Sequence, residues 1–271
     1  MNLIEAAAKY NSSTAGDIIA AKVNNKIVRL DEEVPSGENY EFIDTASLEG
    51  IRIYRSTLRF VLVKAVADLF PADRLRIHYS VNKGGYCQLE GRNIGAEDVN
   101  KIRRRMRQII SKRLPIERHE YDLKRARLIL ENTNRTDLLD VLAGAGNDRV
   151  VLYSLEGVFD YFHEILAPDT GYVDIFEIKH FHEGFLLFYP TRFHPGKLPE
   201  FNEQFKLTEA FEEFRLWGNA IGVDNVHDLN QLAVNGEMGD IIRISEALQE
   251  KKIGYIADRI RDQGRRFVFI S

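Results

Sequence analysis

Residues 55–71 read RSTLRFVLVKAVADLFP, and the rest of the chain can be arranged around them. Leu58, Val61, Leu62, Ala65, Val66 and Leu69 recur at helical spacing, so the segment predicts a buried helix that Pro71 stops. Arg55-Ser56-Thr57 make a polar entry that offers a side-chain oxygen to the first turn.

At 271 residues the chain can bury a sizeable core, in two or three units. Its 44% hydrophobic and 29% charged residues argue against wholesale disorder. A formal net charge of −4 gives no general attraction to nucleic acid or to an anionic membrane, so any basic site has to be local. The single cysteine, Cys87, excludes an intrachain disulfide and a thiolate-rich zinc site and fits a reducing compartment. No apolar run reaches membrane-spanning length, and Met1–Glu5 lacks signal-peptide character. The expectation is a cytoplasmic protein with no membrane partner.

Residues 1 to about 50 read as a small unit. Asn2–Tyr10 is helical, with Leu3, Ile4 and Ala7 on one side, and Asp17–Ala20 reads as a further helical turn. Ala21–Leu30, AKVNNKIVRL, reads as a hairpin, because Asn24-Asn25 tolerates the positive φ of a tight turn between two β-prone runs. Beyond Pro71, Leu75–Leu89 reads as two strands around Lys83-Gly84-Gly85.

Glu97–Arg113 is a second amphipathic helix, with Val99, Ile102, Met106, Ile109 and Ile110 inside and acidic residues at its positive end. Its other face carries Lys101, Arg103, Arg104, Arg105, Arg107, Lys112 and Arg113. That face is either an ordinary solvated one or an RNA-facing strip, for which Lys101, Arg104, Arg105 and Lys112 are the nucleic-acid candidates. Tyr121–Asn132 and Thr136–Leu142 read as helices that stop at Gly144–Asn147, a helix stop and not a phosphate loop.

Val173–Lys179 and Phe185–Tyr189 read as paired strands rich in aromatic residues. His180 and His182 alternate on an expected strand and so share a face, with His194 soon after, but no further metal ligand follows in obvious spacing. Cys87 reads as a small core residue. Leu198–Trp217 is a helix whose aromatic stripe is assigned to the core. Asp224–Ala233 and Met238–Arg261 form a helical pair, with Ile241, Ile242, Leu248, Ile253, Ile256 and Ile260 along one side of the second. Arg265–Ser271 reads as a basic entry to a buried strand.

The frame of residues 55–71 resembles the first helix of the second, editing-type domain of threonyl- and alanyl-tRNA synthetases. In that family the helix opens R-H-x-x-x-H and ends L-[FW]-P, and both histidines bind a metal. Here it opens Arg55-Ser56-Thr57-Leu58-Arg59-Phe60 and ends Leu69-Phe70-Pro71. Gly84-Gly85-Tyr86 is similar to the family's next hairpin, although His78-Tyr79 replaces its Gly-Pro pair, and the string PIER (Pro115–Arg118) recurs at this point in the family. Asp160 to Gly171, DYFHEILAPDTG, resembles the family's D-x-C-x-G-P-H-x-P-x-T-G, whose Cys and His complete the metal site. Aligned so, the four ligand positions are Ser56, Phe60, Phe162 and Leu166, which implies that metal and deacylation chemistry are absent.

The remaining cleft is expected to be lined by Arg55, Arg59 and His163 beside Tyr86 and Thr170. Its arginines suit a carboxylate, a phosphate or a nucleotide, or else simply pair with Glu164 or Asp160. The string at Ala21–Leu30 resembles the ubiquitin-like TGS modules of threonyl-tRNA synthetases. Glu246–Asp258 followed by an apolar strand resembles bacterial uridine kinase-like proteins, in which a synthetase-like half precedes a P-loop kinase.

The expectation is therefore an α+β chain: a small ubiquitin-like (β-grasp) unit at 1–50, a synthetase editing-type domain at 51–223, and a helical connector with the first strand of a kinase domain at 224–271. The resemblance implies a non-catalytic accessory region of a nucleoside kinase, needing no cofactor of its own. Its partners would be a kinase domain beyond Ser271, using ATP and magnesium for phosphoryl transfer, and a nucleotide or nucleoside. The alternatives are a tRNA- or RNA-binding module and a residual aminoacyl-tRNA editing hydrolase.

Overall fold

A computed structural model describes residues 3–10, 15–35, 37–81, 83–133, 135–136, 138–139, 142, 148–202, 205–223 and 225–267. It is a mixed α+β structure in two compact units, Met1–Thr208 and Glu209–Ser271. The first begins with helix α1 (Leu3–Tyr10) and strands β1 (Ile18–Val23), β2 (Lys26–Val28) and β3 (Tyr40–Asp44), which form an antiparallel sheet in the order β2-β1-β3. The expected hairpin is present: Ala21 pairs with Val28 across a turn in which Asn24 and Asn25 take φ of 48° and 66°. The helical turn expected at Asp17–Ala20 is a strand instead. Ile18 and Ala20 pair with Asp44 and Ile43, and this ladder, with burial of Ile18–Ala21, overrides a weak local preference.

Helix α2 (Leu48–Leu69) is 22 residues long and starts seven residues before the expected entry. Ser47 is its N-cap: the Ser47 Oγ accepts from the Gly50 amide at 3.0 Å and donates to the Asp44 carbonyl at 2.6 Å. The turn requires Gly50, since a Cβ there would lie 1.9 Å from the Asp44 carbonyl oxygen. Ser56 and Thr57 are therefore buried inside the helix, not at its entry. At the other end Pro71 follows a Phe70 amide bonded to the Val66 carbonyl at 2.7 Å.

Strands β4 (Leu75–Val81) and β5 (Gly84–Leu89) form the expected hairpin with Lys83 at φ 66°; Asn82 in that turn lies outside the described residues. Helix α3 (Ala96–Ser111) follows, and Val99, Ile102, Met106, Ile109 and Ile110 are buried as its periodicity predicts. Strand β6 (Glu117–Asp122) includes Tyr121, assigned to a helix by the sequence; α4 (Leu123–Asn132) starts after it, capped by Asp122. The glycine pair at Gly144–Asn147 lies outside the described residues. Strands β7 (Arg149–Leu155) and β8 (Val158–Asp160) complete a sheet β6-β7-β8.

Strands β9 (Glu177–Phe181) and β10 (Gly184–Phe188) close a four-stranded antiparallel sheet, β4-β5-β10-β9. Its period-2 alternation sorts the residues into two cores. Cys87, Leu89, Ile178, Phe185 and Leu187 join the main core with α2 and α3, while Tyr86, Phe181, Leu186 and Phe188 join a second cluster. Strand β9 starts four residues later than expected, and His182 lies in the turn after it with φ 50°. His180 and His182 thus do not alternate along one strand face.

Helix α5 (Phe205–Ala220) starts seven residues after Leu198. In the second unit α6 (Val226–Asn235) opens on a reciprocal Asn225–Asp228 capping box and ends at Gly236, φ 78°; α7 (Met238–Asp262) follows. The expected core stripes are not enclosed: no residue of α6 or α7 is buried, and Phe214, Ile242, Ile253 and Ile256 are exposed. A strand from Arg265 is not seen in 265–267, and 268–271 lie outside the described residues.

Candidate functional site

The segment after β8 packs directly on α2. The Ser56 hydroxyl donates to Glu164 Oε2 at 3.3 Å, the Ala167 amide donates to Thr57 Oγ1 at 2.9 Å, and the Phe60 and Phe162 rings meet at 5.4 Å. Tyr153 closes on Phe162 edge-on at 6.2 Å, and Leu166 is fully buried. The two segments that the synthetase resemblance pairs are thus neighbours, but carbon fills their contact. Phenylalanine and leucine carry no lone pair for a cation, so these residues do not fit a zinc ion of the editing type. Among the described residues no three His, Cys, Asp or Glu side chains converge to hold a metal.

Arg55 and Arg59 lie one turn apart on α2, both half-buried. Among the described residues neither arginine forms the ion pair with Glu164 or Asp160 that was one of the two expectations. Asp160 is held by Arg135 at 3.1 Å and also accepts from the Tyr161 amide at 2.7 Å. Glu164 takes the Ser56 hydroxyl instead. Burial, the largest cause, pulls the Arg59 guanidinium below its ordinary value; Tyr189 opposes this, the like charge of Arg55 adds to it, and Cys87 and Glu164 oppose it more weakly. Tyr189, immediately beyond the end of β10, is a neighbour that sequence reasoning missed, because only the strand pairing brings it to α2.

The other candidates are dispersed. Tyr86 faces the second cluster, stacked on His78 at 5.7 Å and edge-on to Phe181 at 6.1 Å. Thr170 is fully buried, donating to the Ile109 carbonyl and accepting from the Leu114 amide, each at 2.9 Å. It ties the end of α3 to a 3-10 turn at Thr170–Tyr172. His163 is exposed, its ring on Tyr161 with Nδ1 3.2 Å from the phenol oxygen. Cys87 is buried, and burial pushes its thiol up to about 12.

The basic face of α3 is largely neutralised. Lys101 sits 3.0 Å from Asp98 and 3.3 Å from Glu97; Arg103 lies 2.9 Å from Glu177, Arg105 2.7 Å from Asp68, and Arg113 3.4 Å from Asp169. Among the described residues Arg104 donates only to the Asn100 carbonyl. A cleft of about 570 Å³ opens elsewhere, between the end of α2, β4 and β8, with Arg74, Glu90, Arg135 and Phe159 in its lining. Its cations are also paired, Arg135 with Asp160 and Arg74 with Glu90 at 3.7 Å, whereas Arg55 and Arg59 on α2 have no acid within ion-pair distance among the described residues. A further buried cation, Arg29, escaped the sequence reading: it holds Asp31 at 2.7 Å and donates to the Ile116 carbonyl at 2.6 Å, tying the N-terminal sheet to β6.

No helix among the described residues is long and apolar enough to cross a membrane. No family model matches the chain. Among curated proteins, the threonine–tRNA ligase of Rubrobacter xylanophilus is 30% identical over 180 residues, 65% of this chain and 28% of the ligase. The threonine–tRNA ligase of Lactiplantibacillus plantarum is 30% identical over 185 residues, covering 64% and 28%. That of Geobacter sp. strain M21 is 25% identical over 178 residues, covering 65% and 28%. The chain spans little more than a quarter of the length of these relatives. Over about 65% of its own length, it is similar to threonine–tRNA ligases.

Proposed function

We propose that this chain is a binding module related to the N-terminal region of threonine–tRNA ligases, one that retains the editing-type scaffold without its hydrolytic centre. The observation that carries this reading is the Phe60–Phe162 contact, which occupies two of the four aligned ligand positions. In this reading residues 1–50 are the TGS-like unit, 51–223 the editing-type domain and 224–271 the connector, and the protein acts in the cytoplasm. Arg55, Arg59 and His163 are its ligand-facing residues, and any RNA contact would run through Lys101, Arg104, Arg105 and Lys112, of which Lys101 and Arg105 already hold acids. The test is aminoacyl-tRNA deacylation by the chain with and without added zinc, together with metal analysis of chelator-free protein. The expected outcome is no acceleration and no stoichiometric zinc; zinc-dependent hydrolysis would overturn the reading.

A second reading is that the module precedes a P-loop nucleoside kinase and positions or regulates it, the kinase using ATP and magnesium. The support is local: the string Glu246–Asp258 that carries the uridine kinase resemblance lies within one continuous helix, α7. Sequencing the gene past the codon for Ser271 tests it. A G-x-x-x-x-G-K-[ST] loop within a few residues supports the kinase; a stop codon removes it.

A further inference from the structure

We propose that Arg55 and Arg59 form a binding site for the phosphate group of a small phosphomonoester. The proposal rests on reading the chain as a binding module and names the ligand class of its α2 face. Positions i and i+4 place both side chains on one side of the helix, with about 5–6 Å between their Cβ atoms. Among the described residues no carboxylate lies within 4.0 Å of either guanidinium; Asp160 and Glu164, the acids on the facing segment, are engaged by Arg135 and Ser56. The Arg55 Nε is buried and has no hydrogen-bond partner. Half-buried like charges side by side, with no acid within ion-pair distance and only the more remote Glu164 acting on Arg59, are held against both desolvation and mutual repulsion. A bound anion removes both penalties.

The donor count selects the anion. Each guanidinium offers five N–H donors in a planar fork. One carboxylate, with two oxygens, is satisfied by one fork, whereas a phosphate monoester carries three terminal oxygens and a charge of about −1.5 to −2 near neutral pH, enough to bridge both. Tyr189 and Glu164 stand beside Arg59 and offer hydroxyl and carboxylate oxygens to the rest of the molecule. The charge of α3 does not compete for this role, since most of its cations already hold acids.

The experiment uses the full chain with inorganic phosphate and a nucleoside 5′-monophosphate as probes, and acetate at matched ionic strength as the control. Calorimetric titration is expected to give saturable binding of both phosphates and none of acetate. R55Q and R59Q are each expected to weaken it by at least about tenfold, the range for a lost charge-assisted hydrogen bond. Phosphate should raise the melting temperature of the unmodified protein by mass action and leave the R55Q/R59Q double variant unmoved. Without phosphate, that variant should melt no lower than the parent, because it removes an unpaired charge pair; a clear loss would assign the arginines a structural role and overturn the proposal. Equal binding of acetate, absence of phosphate binding, or binding unchanged in both variants would also overturn it. The thermal shift of the unmodified protein decides the matter should a variant fail to fold. Failure here in a protein that is zinc-free and inactive on aminoacyl-tRNA removes the phosphate site alone and leaves the non-hydrolytic module standing.

Discussion

The rings of Phe60 and Phe162 meet with centroids 5.4 Å apart and planes inclined at 59°, joining the middle of α2 to the segment that follows β8. Phe60 is fully buried and Phe162 packs against the same core. Phe60→Ala is expected to destabilise the chain by about 3–5 kcal/mol, the range for emptying a buried aromatic site. Phe162→Ala should have a smaller effect. A urea-denaturation double-mutant cycle should return a coupling of about 0.5–1.5 kcal/mol between the rings; additive effects would show that the contact contributes nothing of its own.

The start of α2 depends on the turn at Asp44–Gly50. Ser47→Ala removes the acceptor for the Gly50 amide and should lower stability by about 1 kcal/mol. Gly50→Ala should be worse, because its Cβ would fall on the Asp44 carbonyl and the backbone of β3 would have to move. Comparing the two urea midpoints checks the order. A harmless Gly50→Ala would mean that the turn relaxes freely.

Alkaline pH should unfold the chain through neutral groups held in the core. The Cys87 thiol moves from an ordinary value of 9.0 to about 12, chiefly by burial. Burial, again the main cause, also raises the Tyr54 phenol, which bonds the Ile175 carbonyl and amide at 2.9 Å. In both cases the folded value lies above the unfolded one, so the stabilisation is complete below the unfolded value and is lost as pH rises toward the folded value. For Cys87 the window is about pH 9 to 12, with a slope of about 1.4 kcal/mol per pH unit. Cys87→Ala should flatten the stability profile between pH 9 and 10, and at pH 8 the native thiol should resist a thiol reagent that labels it in urea.

RNA binding through α3 should be weak and only mildly salt-dependent. Lys101, Arg103, Arg105 and Arg113 already face acids, and each would have to give up its partner to meet a phosphate. Titrating tRNA from 50 to 200 mM salt should give a slope that corresponds to few phosphate contacts. Lys112→Glu should weaken whatever binding remains more than Lys101→Glu does. A steep slope abolished by Lys101→Glu and Arg105→Glu would instead establish α3 as an RNA surface.

What the sequence determined by itself were features whose cause is local. The stripe Leu58–Leu69 and the α3 stripe follow from helical period, and the Asn24-Asn25 turn from residues that accept positive φ. That Phe60, Phe162 and Leu166 carry no lone pair for a metal was legible as residue chemistry alone. Tertiary structure decided the features whose partners lie far away along the chain. Asp17–Ala20 became a strand because β3 offered a ladder. Tyr86 turned from the cleft because the pleat places it opposite Cys87. Asp160 is held by Arg135 and not by Arg55 or Arg59, and the α3 cations were neutralised by Asp68, Glu177 and Asp169 from elsewhere in the chain. Which cation meets which acid depends on distances in the folded chain, and the order of residues does not contain them.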